Sequence, residues 1–578
     1  MLPQQVQRPC PGGNMSDRKS GHQAEQDAIL SRRRFLSAGA ATAAGAVAAA
    51  PASANQPTGI QWDREVDVIV IGAGASGLPA AIAARDEGAS VICVDHHFET
   101  GGIAIMSGGD IRIGGGNRLQ KKAGSKETPD DIFKRWTDPL KHRFADADLV
   151  RRFADENVAT FDFLEANGVN FDRHGTNVPK EGRPGITSTP GVRPHEWPVR
   201  TDNIALDQGR NGSGIVRPLE LSARDKGVEF MLSYTLRKIH REQPFAGRVL
   251  GVTIEQVDRW FQPQHRFLNL RARKAVILCN GGHGQNVHFR RMFDPRLTDE
   301  YQHHGQATAP ANAAGEISAM QIGAALWSVG NETDFGTGQA IDKGRLAVRD
   351  NYVRGKIGPE SSVFFRHRAL GLDVADWQDL ILVKENGLRF WDETDDSHDG
   401  YFAHALQPTG DPKKLNGGGP VWAIFDQAAV EREKWQTTYP HVDRGGGYFF
   451  SGATLDELAA QLTRNIYQWR PMPAEALRKT VERFNSFVVS GKDLDFKRPS
   501  PPHKIEKPPF YAAWATPCLH DSYTGLRTNK NCQVMDMQGQ LIPGLFCAGE
   551  SQGGIKSHGL GRCIVTGRVA GMEAARSS

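Results

Sequence analysis

The run Val66-Asp-Val-Ile-Val-Ile-Gly72-Ala73-Gly74-Ala75-Ser76-Gly77 constrains the fold of this chain more than any other stretch. An apolar strand enters a glycine turn, and Leu78 to Glu87 then reads as a helix. A second apolar strand, Val91-Ile-Cys-Val-Asp95, ends on an acid at the interval the dinucleotide-binding fingerprint requires. Strand, turn, helix, strand and acid together make that fingerprint. Gly72 makes the tight turn, Gly74 admits backbone to a pyrophosphate, and Gly77 lets helix and strand pack closely. The helix N-terminus offers free N–H groups and a positive dipole end. Asp95 is placed to accept hydrogen bonds from a ribose.

The chain has 578 residues, 39% of them hydrophobic, enough for two or more domains. Its net charge is only +4, and no basic cluster lies outside the N-terminal region, so nucleic acid is not an expected partner. Ser31-Arg32-Arg33-Arg34-Phe35-Leu36 precedes a mild Ala/Gly-rich run, 37–50, and Ala52-Ser-Ala54 offers a small-residue cleavage site. Paired arginines before Phe-Leu resemble a twin-arginine export signal, which implies a periplasmic protein folded around its cofactor before export. The apolar run is too short for a stable membrane span. Six cysteines follow the signal, none in CxxC spacing and none in a CxxCH haem motif, and no metal site is expected.

From Asn55 to about Gly282 strands and helices alternate. Asp148 to Asn167 is helical in pattern, Arg210 to Gly214 leads into another helix, and Val228 to His240 gives two short strands. Val249 to Val257 and Phe267 to Arg271 suggest a hairpin-like addition, and Lys274-Ala-Val-Ile-Leu-Cys-Asn280-Gly281-Gly282 is a buried strand running into a turn. A middle section of loops and short helices follows. Gln540 to Glu550 is again strand then turn, and a helix from about Ile564 to Arg576 closes the chain. Nucleotide-fold segments on both sides of a different middle imply one discontinuous domain with an insertion.

Five motifs occur in the order seen in the fumarate reductase/succinate dehydrogenase flavoprotein superfamily, in its branch with flavocytochrome c fumarate reductases and 3-ketosteroid dehydrogenases. They are Gly72 to Gly77; Thr100-Gly101-Gly102 with Ser107-Gly108-Gly109; Cys279 to Gly282; Lys384-Glu-Asn-Gly-Leu-Arg-Phe390; and Ile542 to Glu550. The chain resembles this family over about residues 62–578. The resemblance implies an α/β fold: a Rossmann-like, glutathione-reductase-type FAD domain (62–325 and 501–578) with an inserted α+β capping domain (326–500), after a signal at 1–54. It implies FAD as the cofactor. Gly549 and Glu550 would meet the ribityl chain, residues 100–109 the pyrophosphate and isoalloxazine, Gly559 and Leu560 the flavin, and Leu236 the adenine. His96 would neighbour FAD or be a solvated loop residue. Relatives that tether FAD do so through a histidine just before the Gly-Gly pair, where this chain has Gly102-Ile103, so the FAD is expected to be noncovalent.

Family chemistry is hydride transfer between flavin and a carbon beside an activating carbonyl or carboxylate, with a side chain handling the proton. The family's arginine or tyrosine acid falls here on Asp396 or Ser397, and neither replaces a guanidinium. His398, Tyr401 and His404 follow closely, as candidates or as a polar cap loop. In the last flavin loop, relatives carry His-Gly-x-Asn-Arg-Leu-Gly-Gly, whose arginine clamps a carboxylate. His558-Gly559-Leu560-Gly561-Arg562 reads as a shorter version in which Arg562 falls later, open to capping, ion pairing or substrate binding. In Cys518-Leu-His-Asp-Ser-Tyr-Thr-Gly525, His520 matches the first histidine of the relatives' His-His-Thr-Met-Gly-Gly and Tyr523 sits just before the flavin-facing glycine; both are candidate substrate contacts or interface residues.

With two dicarboxylate features counted absent, the expected activity is oxidation of a C–C bond beside a carbonyl in a ketosteroid-like or otherwise bulky substrate. Trp327, Trp377, Trp391, Trp422 and Trp435 hint at such bulk or simply build a core. A periplasmic enoate or fumarate-like reductase and a non-catalytic flavin electron carrier are the alternatives. Electrons would pass to a separate carrier (cytochrome or quinone) or to oxygen.

Overall fold

A computed structural model describes residues 59–107, 109–139, 144–171, 187–188, 211–305, 309–328, 345–349, 358–359, 363–395, 404–406, 419–519, 521–557 and 559–578. The expected export signal lies outside them. Strands β1 (Arg64–Ile71) and β2 (Val91–Asp95) pair in parallel and are joined by helix α1 (Gly77–Asp86). Both strands are apolar on both faces because the sheet is covered on both sides. Helices α2 (Ala147–Ala166) and α3 (Asn211–Asp225) lead to β3 (Glu229–Leu232), which extends the sheet in parallel beside β2.

Strands β4 (Tyr234–Gln243), β5 (Ala246–Val257) and β6 (Pro263–Leu278) form an antiparallel meander. The two pieces expected at Phe267–Arg271 and from Lys274 are one strand. No Gly or Pro interrupts 264–278; the first part of β6 pairs with β5, and from Leu270 onward it runs parallel to β1. Helix α4 (Ala314–Met320) then packs on β4, on the opposite face from α1.

A second sheet holds β7 (Ile381–Lys384), β8 (Val421–Asp426), β9 (Phe449–Gly452) and β10 (Phe510–Trp514), all antiparallel in the order β7-β8-β10-β9. One face packs on helices α5 (Leu455–Gln461) and α6 (Ala474–Ser490). Strand β10 lies after residue 500 and still belongs to this sheet. From Trp514 the chain returns to the first sheet through β11 (Gln533–Met535) and β12 (Leu541–Cys547), the latter parallel to β6. Helix α7 (Leu560–Arg576) packs across α1 and begins earlier than the expected Ile564. The fold is a Rossmann-like FAD domain with an inserted α+β cap. Among the described residues no helix is long and apolar enough to cross a membrane.

Candidate functional site

Parallel strands β12, β6, β1 and β2 end side by side, and a cleft runs across their carboxyl ends, where open α/β sheets bind ligands. Three strand spacings separate the outer pair by about 14 Å. The cleft is partly open to solvent, and together with that open space it measures about 1330 Å³.

At the β2 end, Asp95 Oδ2 accepts from Ala73 N at 2.6 Å and Oδ1 from His97 N at 2.8 Å. Burial nevertheless pushes its carboxyl up to about 6, against those two N–H bonds. His96 lines the cleft, and burial with the nearby cations Arg366 and Arg237 pulls its imidazole down to about 3. His97 is buried beside it, its Nδ1 accepting from Glu99 N at 3.1 Å. Leu236 lines the same end.

At the β1 end, Gly72 has φ +104°, and a Cβ on Gly77 would stand 1.7 Å from Gly72 O, so the turn and the helix close on each other. Ala73 and Gly77 are buried behind the turn, while Gly72, Gly74, Ala75 and Ser76 line the cleft. Ser76, the N-cap of α1, makes no side-chain cap bond, which leaves the helix N-terminal N–H groups uncapped beside the cleft. The facing wall is Gly102, Ser107 and Gly109, with Thr100 and Gly101 buried behind; Gly101 N donates to Ala73 O at 2.9 Å.

At the β6 end, Asn280 and Gly281 line the cleft. Asn280 Nδ2 donates to Glu316 Oε2 at 2.9 Å, and burial raises the Glu316 carboxyl. Gly282 packs behind, against Ser522 and Glu550. At the β12 end, Glu550, Gly559 and Leu560 line the cleft, and Gly549 N donates to Thr566 Oγ1 at 3.0 Å. Gly108, His398, Tyr401, His520 and His558 lie outside the described residues. Sequence reasoning missed Asp521, His304 and the stretch 309–312, which also line the cleft. Asp521 departs from the histidine of the relatives' pattern, so no match marks it, and His304 sits in no motif.

A glycine-walled trough at a helix N-terminus suits a pyrophosphate. His96 Nε2 and Asn280 Oδ1 are buried without a partner, as donors or acceptors awaiting a polar ligand would be. The residues present fit FAD. The sequence profile of the FAD binding domain matches residues 67–561. The chain belongs to this family.

This flavoprotein is 26% identical over 521 residues to a probable fumarate reductase, Ifc3, of Shewanella frigidimarina, covering 88% of this chain and 74% of that one. It is 23% identical to a 3-oxosteroid 1-dehydrogenase of Mycolicibacterium smegmatis, covering 86% and 93%. The open conformation of a flavocytochrome c3 fumarate reductase superposes with a TM-score of 0.61 at 23% identity, over 89% of this chain and 79% of that one. The flavoprotein is thus an FAD-dependent oxidoreductase of the fumarate reductase/succinate dehydrogenase superfamily, acting on CH–CH or C=C bonds.

One expectation needs correction. The interval from His558 to Arg562 is the same as in His-Gly-x-Asn-Arg, so the loop is not shortened before the arginine. Its guanidinium is nonetheless fully buried in the first turn of α7. Nη1 donates to Ile555 O at 3.0 Å and Nη2 to Ser522 O at 3.1 Å, with the Tyr523 ring 5.4 Å away. Tyr523 is itself buried behind the cleft wall. None of the five tryptophans lines the cleft; Trp422 packs on Trp514 in the second sheet, and Trp435 on Phe425. The six cysteines are buried free thiols, and among the described residues no cluster is placed to hold a metal.

Proposed function

We propose that this flavoprotein is an exported dehydrogenase that oxidises a CH–CH bond beside a carbonyl in a bulky, uncharged substrate of the ketosteroid class. The observation that carries the reading is Arg562. It is fully buried off the cleft lining, and its terminal nitrogens each donate to a backbone carbonyl, of Ile555 and Ser522, so it braces two loops instead of clamping a substrate carboxylate. The similarity to a 3-oxosteroid 1-dehydrogenase supports the same class.

Bound FAD would supply the hydride acceptor. Gly72 to Gly77 and the α1 N-terminus would hold its pyrophosphate, Asp95 its ribose, Leu236 and His96 its adenine side, and Gly549 and Glu550 its ribityl chain. Ser107 to Gly109, Gly559 and Leu560 would border the ring, with Asn280, Gly281 and Gly282 as the floor. Proton handling would fall to His520 and His558, with His398 and Tyr401 from the cap; Tyr523, buried behind the cleft wall, is no longer a candidate. The sequence carries no CxxCH motif, so electrons leave to a separate cytochrome, quinone or oxygen. Export rests on Arg32 and Arg33 before Phe35-Leu36.

A reductase of a 2-enoate is the second reading, favoured by the fumarate reductase relative and by the motif position of Arg562. Anaerobic mixing of oxidised enzyme with 3-ketosteroids and with succinate separates the two. The proposal expects the ketosteroids to bleach the flavin band and succinate to leave it. It is sunk if no ketone bleaches the flavin while enoates reoxidise the dithionite-reduced enzyme.

A further inference from the structure

The β12 end of the cleft is walled by two acids, Asp521 and Glu550. Asp521 is 7% exposed and fixed by its neighbours on both sides. Before it, Leu519 N donates to Gln302 O at 2.7 Å and Leu519 O accepts from His304 N at 2.8 Å. After it, Ser522 N donates to Glu550 Oε2 at 3.4 Å, and Ser522 O holds Arg562. The chain reaches this point from β10, so Asp521 stands where the second sheet's body meets the cleft. In the relatives' His-His-Thr-Met pattern a histidine occupies this position. Replacing a group that can carry positive charge by a carboxylate reverses the local field.

We infer that Asp521 sets the charge preference of the substrate end: its carboxylate keeps anionic substrates out and disfavours the extra electron density of reduced flavin. This rests on the reading above only in placing the flavin ring at the β12 end. Arg562 lies near Asp521, Glu550 and Tyr523 but behind the wall, with its terminal nitrogens turned to backbone carbonyls. Its single positive charge stands against the two acids, leaving an excess of one carboxylate at this end of the cleft. Inside a low-dielectric cleft a unit charge acts strongly on neighbours that salt cannot screen.

The experiment uses the full-length FAD-loaded protein and needs no turnover. Cinnamate and its neutral amide, cinnamamide, are titrated against the flavin spectrum, and the flavin midpoint potential is measured with reference dyes. Wild type is compared with Asp521→Asn, Asp521→Ser and Asp521→Glu at matched FAD content. Both neutral variants should favour cinnamate over cinnamamide about tenfold more than wild type does. They should also raise the preference for reduced over oxidised flavin about tenfold, about 30 mV for a two-electron couple. Asp521→Glu should restore both values. The inference is overturned if the neutral variants leave the potential unmoved, or shift both probes alike. If neither probe perturbs the flavin, the potential alone decides. A chain that oxidises no ketosteroid can still pass this test, and one that oxidises ketosteroids can fail it.

Discussion

Placed against the ribose as proposed, Asp95 would couple cofactor binding to pH. In the ligand-free protein its carboxyl titrates at about 6 instead of 3.8, because burial outweighs the N–H groups of Ala73 and His97. Ribose hydroxyls are donors and favour the ionised carboxylate, so below about pH 6 binding must first expel a proton. FAD affinity is therefore expected to fall as pH drops from 7 to 5, approaching tenfold per unit, and to be flat above 7. Asp95→Asn should weaken binding at pH 7 and abolish the slope, as read by quenching of free FAD fluorescence. In the apo-protein the sign is opposite: a raised carboxyl binds its proton more tightly when folded, so stability falls as pH rises from about 4 to 6. Asp95 was legible in the sequence because the fingerprint is local, confined to the stretch from Val66 to Asp95. Asp521 and His304 were not, since the hydrogen bond from His304 N to Leu519 O joins segments on either side of the whole cap and leaves no periodic trace.

The motif Lys384 to Phe390 was legible as a family signature, and its task lies at the scale of the cap. Arg389 Nη2 contacts Glu393 at 2.7 Å and Asp493 at 2.8 Å, while Arg498 Nη1 contacts Glu393 at 3.1 Å, all four side chains buried. This network ties β7's turn to the end of α6. Arg389→Met would strand the buried Asp493 and leave Glu393 to Arg498 alone, costing about 3–5 kcal/mol. The expected outcome is a lower thermal midpoint, followed by tryptophan fluorescence because Trp422 and Trp514 sit in the adjoining core. Element boundaries were harder to read than the elements. Strand β6 looks like two pieces because its sheet partners change from β5 to β1 along its length, which alternation of side chains does not announce. Strand β10 looks like part of the second nucleotide segment, yet its cross-strand partners are in the cap.

At the scale of the whole molecule, FAD bound in the cleft would bridge segments that contribute separately to it, so its loss would loosen all of them together. Saturation at about 100 times Kd should add about 2.7 kcal/mol to the free energy of unfolding, seen as a concentration-dependent midpoint in calorimetry. With Gly102-Ile103 where tethered relatives carry histidine, acid precipitation should leave a colourless pellet and a yellow supernatant.

The order of the strands in the main sheet also has a consequence in time. Its first strand begins at Arg64, but the neighbour that completes the cleft, β12, begins only at Leu541, and α7, whose first residue lines the cleft, only at Leu560. During translation the β1 and β2 half emerges early and waits while the whole cap is made. Cofactor capture is therefore a late event in the life of the nascent chain. A product released between Asp95 and Leu541 carries an intact glycine turn and half a cradle, and stays colourless.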